Sequence, residues 1–353
     1  MPVYLDRPLS CEAHAGSRAR RRDIPKNCVR IGLINNMPDG ALRATERQFL
    51  NLLESAASSF PVRLSFFYLP GVPRSDWGRN HVRTFYSGIE DLWDSPLDGL
   101  IVTGAEPRFP SLAHEPYWGE LTEVLKWADE NTSSSIWSCL AAHAAVFHMD
   151  GLERHRLDDK RFGLFRCVPA SVHPLISGNS SGVMIPHSRW NDLREQELLA
   201  CGYQILGRSC EAGVDVFVKE KRSLFVFFQG HPEYEANTLL LEYRRDIGRY
   251  LRGERENYPA MPQCYFDSET EAALRALEDR FSSDRREERL AEFPSDALER
   301  NLKNRWHSAA SRVYRNWLAC LSGKKQPSMG KRAAGRSTLR APVPNRLSAA
   351  GAD

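Results

Sequence analysis

The chain has 353 residues, 42% of them hydrophobic, and a formal net charge of +3. That is material for one large α/β domain with appendages, and so mild a charge does not point to nucleic acid. No apolar run of about 18 residues is present to span a membrane, and the N-terminus lacks the apolar core of a secretory signal.

Residues 1–27 are polar and Arg-rich and read as a flexible basic arm. Arg18, Arg20, Arg21 and Arg22 leave an organelle-targeting reading open, against which the stretch has too few apolar residues for an amphipathic targeting helix. From Cys28 to residue 264 the pattern is that of a folded α/β domain. Val29–Asn35 is a short apolar run that predicts a buried strand. Asn36-Met37-Pro38-Asp39-Gly40 is turn chemistry, and Thr45 with Gln48 predicts a capping box opening a helix through Leu53. Strands are predicted at Pro61–Leu69, Gly99–Thr103 and Ser134–Ser138, and helices at Trp118–Asn131 and Leu140–Met149. This alternation implies a doubly wound, mostly parallel sheet flanked by helices. Val214–Lys219 and Leu224–Phe228 read as a hairpin, followed by a helix over about Asn237–Arg252. Residues 265–320 form a charged helical C-terminal extension packing on the domain. The tail, 321–353, carries seven Lys/Arg against one acidic residue and reads as disordered.

The eight cysteines, at positions 11, 28, 139, 167, 201, 210, 264 and 320, include no C-x-x-C. They fit neither a disulfide framework nor a zinc spacing, and imply free thiols in a reducing cytoplasm. Cys201 and Cys210 read as packing residues. Cys139 stands apart. An apolar strand, Ile136-Trp137-Ser138, runs into it, and the small-residue helix Leu140-Ala141-Ala142-His143-Ala144-Ala145 follows at once. That is the geometry of a nucleophile elbow, with a helix N-terminus to favour a thiolate and supply N–H groups to an oxyanion. The flanking glycines usual in such elbows are absent, and a buried, inert thiol is the competing reading. His231, in Gly230-His231-Pro232-Glu233-Tyr234, closes a predicted strand and has a carboxylate two residues on. Cys139, His231 and Glu233 are therefore a candidate catalytic set. His143, one turn past Cys139, is a competing base.

These residues resemble the homoserine O-succinyltransferase/O-acetyltransferase family of methionine biosynthesis. The likeness runs from about Val29 to Leu318. It is carried by Asn36-Met37-Pro38, Thr45-Glu46, Gln48-Phe49, Asp98 to Ala105, Tyr117-Trp118, the Cys139 elbow, Pro186-His187-Ser188-Arg189, the His231 motif, Trp306 and Asn316-Trp317-Leu318. The resemblance implies a flavodoxin-like fold of the class I glutamine amidotransferase kind. It also implies a ping-pong reaction in which Cys139 takes an acyl group from an acyl-CoA, while His231, supported by Glu233, deprotonates the acceptor hydroxyl. Substrate-binding positions fall on Lys160, Ser188 and Arg245, with Arg244 as the alternative register. Gly104 and Leu140 are candidates for the oxyanion turn. The family's acyl-donor position falls on Arg108, a cation suited to a succinyl carboxylate, so succinyl-CoA is the expected co-substrate and L-homoserine the expected acceptor. A lysine pair typical of the family is replaced by Asp39-Gly40-Ala41-Leu42-Arg43-Ala44, leaving Arg43 on the donor side. Acetyl-CoA as donor, or serine as acceptor, remains open. So do a glutamine amidotransferase-like hydrolase and a non-catalytic ligand-binding paralogue whose basic tail meets an acidic partner. The resemblance further implies a homodimer with no metal, no tightly bound cofactor, and no membrane or nucleic-acid partner.

Overall fold

The computed structural model describes residues 3–7, 9, 25, 27–57, 61–179 and 181–323. Its centre is a parallel array: β2 (Val29–Ile34), β3 (Val62–Tyr68), β5 (Gly99–Val102), β6 (Ser134–Ser138) and β11 (Leu224–Phe228). β1 (Val3–Leu5) and β4 (Ser87–Gly88) also pair with β3 in parallel. Beyond β11 the sheet turns antiparallel through β10 (Gly213–Glu220), β9 (Gln204–Ser209), β7 (His155–Pro169) and β8 (Val183–Asp192). The strand order is β1-β3-β2-β5-β6-β11-β10-β9-β7-β8.

Alternation along the strands assigns the layers. Ile101, Ile136, Val226 and Phe228 face one side, with α1 (Leu42–Ala56) and α9 (His307–Gly323) upon them. Leu100, Val102, Trp137, Phe225 and Phe227 face the other, under α3 (Trp118–Asn131) and α4 (Leu140–Asp150). Both faces are thus covered, as the run of buried residues in β5 and β6 requires. α2 (Asp76–Phe85) and the short α5 (Glu195–Ala200) flank the sheet. A third apolar cluster joins α6 (Thr238–Leu251) to α7 (Ser268–Ser283) and Trp306; α8 (Ser295–Asn301) lies between them in the chain. Among the described residues no helix is long and apolar enough to cross a membrane.

Three expectations need correction. Part of the N-terminal arm is a strand: Val3 and Leu5 bury into the core beside β3, and Asp6 accepts from Arg63 and Ser65. The expected basic tail begins inside α9, where Leu321 is buried; the rest of it, like most of the arm, lies outside the described residues. Thr45 and Gln48 do not cap α1, which starts at Leu42 with no side-chain cap. A 3-10 turn over Asp39–Ala41 starts the helix early. Asp39 anchors that turn by accepting from the Ser75 N–H at 2.7 Å and pairing with the buried Arg74. Arg74 also donates to the carbonyls of Asn35 and Met37, both at 2.9 Å. The departure from the family's lysine pair is therefore a structural tie, and Gln48 is free to donate to Thr238 Oγ1 at 2.9 Å.

Candidate active site

The parallel strands end together, and ligands collect at such carboxyl edges. Cys139 follows β6 directly. Its N–H donates to the Phe228 carbonyl at 2.7 Å, tying it to the end of β11. Its φ is 51° and ψ −113°, a conformation rare for a side-chain-bearing residue and one that costs roughly 1–3 kcal/mol. The strain lifts the thiol out of the strand to the N-terminus of α4, where it stays half-exposed. The small residues Ala141, Ala142, Ala144 and Ala145 are buried and let α4 lie close to the sheet.

His231 follows β11. Its N–H donates to Pro186 O at 2.8 Å, and its Nδ1 lies 2.8 Å from Glu233 Oε1. Its Nε2 is buried, and the side chain that acts on it is Cys139. Burial alone would lower the His231 pKa, but the charges of Glu233 and Cys139 overcome it and hold the pKa well above the usual histidine range. Tyr234 stacks on the imidazole, with ring centroids 4.2 Å apart. Ser138 Oγ donates to Glu233 Oε1 at 3.4 Å. The C-terminal segment steadies this loop, since Trp306 Nε1 donates to Tyr234 O at 2.8 Å. His143 is a different case: burial pushes its pKa down to about 3, and its Nε2 is engaged with Gln229 Oε1 at 3.0 Å. It is a poor candidate for the base.

Gly104 lies across from the elbow. A Cβ there would stand 2.8 Å from Leu140 Cβ and 3.0 Å from Leu140 N. The Leu140 N–H belongs to the first turn of α4 and has no acceptor within the helix. Glycine therefore keeps open the space beside that N–H. Gly104→Ala is expected to lower kcat/KM by about 100-fold and to lower the melting temperature as well, because the first turn of α4 must shift to admit the Cβ; steady-state kinetics and a thermal melt check both.

The cleft over Cys139 encloses about 720 Å³. Lys160, Ser188 and Arg245 all line it, and Arg244 does not, which favours the Arg245 register. Sequence reasoning missed what gathers them. Glu242, from α6, accepts from the Ser188 hydroxyl, from Lys160 Nζ at 3.4 Å and from the Tyr234 hydroxyl at 2.6 Å. Asp246, one turn on, accepts from Lys160 at 3.2 Å and from Arg245 at 3.0 Å. Arg255 and Arg249 approach the same carboxylate at 3.5 and 3.9 Å. Burial would raise the pKa of both carboxyls, but the Lys160 and Arg245 charges outweigh it and hold both below their usual values. Arg249 also pairs with Glu106 at 3.7 Å, and Glu254 lines the same cleft, so these cations are largely matched by carboxylates; the Arg245 side chain, 49% exposed, is the one placed to receive a substrate carboxylate. A hint was legible: Glu242 precedes Arg245 by three residues, one helical turn.

Arg108 is not brought to the cleft. It is exposed, and its backbone N–H donates to Glu115 Oε1 at 2.6 Å. The loop enters the cleft through Glu106 and Pro107 instead. Arg43 is likewise absent from the lining, its guanidinium lying 5.4 Å from the centroid of the Trp77 ring. Cys167, His187 and Asp215 bring potential metal-ligand atoms within 4.8 Å of one another. Arg189 Nε, however, donates to His187 Nδ1 at 3.3 Å, which leaves the imidazole proton on Nε2, the atom that a metal would need bare. With that proton directed at Asp215, 3.3 Å from Nε2, those residues suit a packing cluster better than a cation site.

Fold and site together define a class: doubly wound α/β proteins with a Cys–His–Glu set at the carboxyl edge of the parallel strands, opening on a charged cleft. A model of the homoserine O-succinyltransferase family matches residues 11–327. The homoserine O-succinyltransferase of Rhodopseudomonas palustris is 46% identical over 317 residues, covering 90% of this chain and 95% of its own length. That of Methylorubrum extorquens is 46% identical over 296 residues, 84% of this chain and 88% of its own. This chain belongs to the homoserine O-succinyltransferase family. Among solved structures, a glutamine amidotransferase from Thermotoga maritima aligns over 83% of this chain and 98% of its own at 12% identity, with a TM-score of 0.45; nothing about activity follows from likeness at that level.

Proposed function

We propose that this chain is a homoserine O-succinyltransferase, with Cys139 carrying the succinyl group between succinyl-CoA and the hydroxyl of L-homoserine. The observation that supports it most is the buried Nε2 of His231, which is left to face the Cys139 side chain. The other nitrogen of that ring is held by Glu233, and Cys139 lies close enough to raise its pKa.

In the first half-reaction His231 accepts the thiol proton and Cys139 Sγ adds to the thioester carbonyl. The C–S bond to CoA then breaks, and CoA leaves with the proton from His231. In the second, His231 takes the homoserine hydroxyl proton and the oxygen adds to the acyl-thioester. The bond to Sγ breaks, and the proton returns to Cys139. Both tetrahedral intermediates place an oxyanion near the Leu140 N–H. Arg245 receives the amino acid's α-carboxylate as a bidentate partner, while Glu242 offers an acceptor for the α-ammonium beside Ser188 and Lys160. The catalytic and binding roles given to these residues are part of the proposal. Succinyl-CoA is then a co-substrate and no resident cofactor is needed. A cytoplasmic homodimer fits the same reading.

A donor-by-acceptor matrix tests this function: succinyl-CoA and acetyl-CoA against homoserine and serine, following CoA thiol release. The expected result is a kcat/KM for succinyl-CoA with homoserine at least tenfold above every other pair. Equal or better turnover with acetyl-CoA or serine overturns the assignment.

A further inference from the structure

The polyanionic end of the acyl donor has no obvious seat at the expected positions. Asp39 is consumed by Arg74, and Arg43 and Arg108 lie off the cleft. The Glu242–Asp246 end of the cleft would set buried carboxylates against further negative charge. A second basin, of about 500 Å³, adjoins the catalytic cleft beside His143 and Phe147 of α4. Pro107, His143, Arg156 and Asn191 line both and form the passage between them. The basin is of a size suited to part of a nucleotide.

Its chemistry fits one. Leu112, Phe147 and Pro110 supply apolar surface, and Trp118 backs Phe147 with ring centroids 5.6 Å apart. Two guanidiniums, Arg154 and Arg156, face one carboxylate, Glu153, in the lining. Arg156 is exposed and lies 4.4 Å from the centroid of the Trp190 ring, with no carboxylate at ion-pair distance among the described residues. Arg154 donates through one terminal nitrogen to Pro110 O at 3.0 Å, and its other, buried terminal nitrogen has no hydrogen-bond partner. An unfilled buried donor and an unpaired cation in a partly apolar basin are the elements of a phosphate and purine site.

We propose that this basin holds the 3′-phosphoadenosine diphosphate end of the coenzyme A donor, with the pantetheine arm running through the Pro107–Arg156 passage to Cys139. The inference rests on the acyl-CoA reading above and adds which surface takes the nucleotide. Arg156 meets the phosphates, and Arg154 pins the Phe109–Pro110 loop that walls the basin. The acceptor amino acid then enters from the opposite, Glu242 side, so donor and acceptor approach Cys139 from different ends.

The test compares succinyl-CoA with succinyl-N-acetylcysteamine, a thioester lacking the nucleotide, in wild type, Arg156→Ala and Arg156→Lys. Calorimetry with free CoA accompanies the kinetics. For Arg156→Ala, the ratio of kcat/KM between the long and the short donor is expected to fall about tenfold, and CoA affinity to weaken by a similar factor. Arg156→Lys should recover part of both, since it keeps the charge and loses the fork. An unchanged ratio, or equal losses on both donors, overturns the subsite. Calorimetry separates the two readings. Arg156-dependent CoA binding without any acyl transfer leaves the basin standing and removes the proposed function, whereas normal transfer with Arg156-independent binding removes only the basin.

Discussion

Replacing Cys139 with serine is expected to lower kcat/KM for succinyl transfer by roughly 10⁴-fold or more, because the residual rate then comes from binding and the oxyanion site alone. The oxygen is a far weaker nucleophile at neutral pH. Stability is expected to move the other way with a different substitution. Cys139 holds a φ of 51°, a region that glycine enters without penalty. Cys139→Gly should therefore raise the unfolding free energy by about 1 kcal/mol while abolishing turnover. Denaturant melts beside steady-state kinetics read both effects. A Cys139→Gly protein that is inactive but less stable would show that the elbow is not strained.

Glu233→Gln is expected to reduce turnover by roughly 10³–10⁴-fold, since the amide no longer stabilises an imidazolium or holds its tautomer. The pH profile carries the diagnostic sign. Burial alone disfavours charged His231; the Glu233 and Cys139 charges together raise its pKa well above the ordinary value. In the acyl-enzyme the cysteine carries no charge, and Glu233 is the remaining cause. Deacylation by homoserine needs neutral His231, so the acid limb of its rate profile lies at raised pH in the wild type. Removing the Glu233 charge lowers that pKa and shifts the limb to lower pH, even as the plateau falls. Single-turnover deacylation across pH measures it; a limb that stays in place would mean that His231 is not the group titrating. Linkage runs in the same direction. The raised pKa contributes stability that is complete below the ordinary histidine value near 6.5 and is lost as pH climbs through the folded-state value.

Much of this molecule was legible before its structure. β6 and α3 occupy their expected bounds, because short apolar runs and helical periodicity are local signals that tertiary packing here reinforces. The doubly wound, mostly parallel sheet follows from the same alternation. What stayed hidden depends on long-range partners. β7 has an irregular burial pattern, with polar residues at most of its early positions, so no alternation marks it. It becomes a strand by pairing with β8, and that pairing carries Lys160 and Ser188 to the cleft. Thr45 and Gln48 spelled a helix start, yet the Asp39–Arg74 pair, whose members are far apart in sequence, moved it to Leu42. Glu242 and Asp246 look like ordinary helix carboxylates until α6 turns them onto Lys160 and Arg245. Arg108 lies off the cleft for a related reason: its backbone N–H is held by Glu115, which no counting of residues along the loop reveals.

The most direct test is to mix the protein with succinyl-CoA in the absence of acceptor, quench in acid, and weigh the intact chain and its peptides. The expected result is one succinyl group per chain, located on the peptide containing Cys139, absent from Cys139→Ala and discharged when homoserine is added before the quench. An unmodified wild-type chain, or an adduct that survives in Cys139→Ala, would contradict the covalent mechanism.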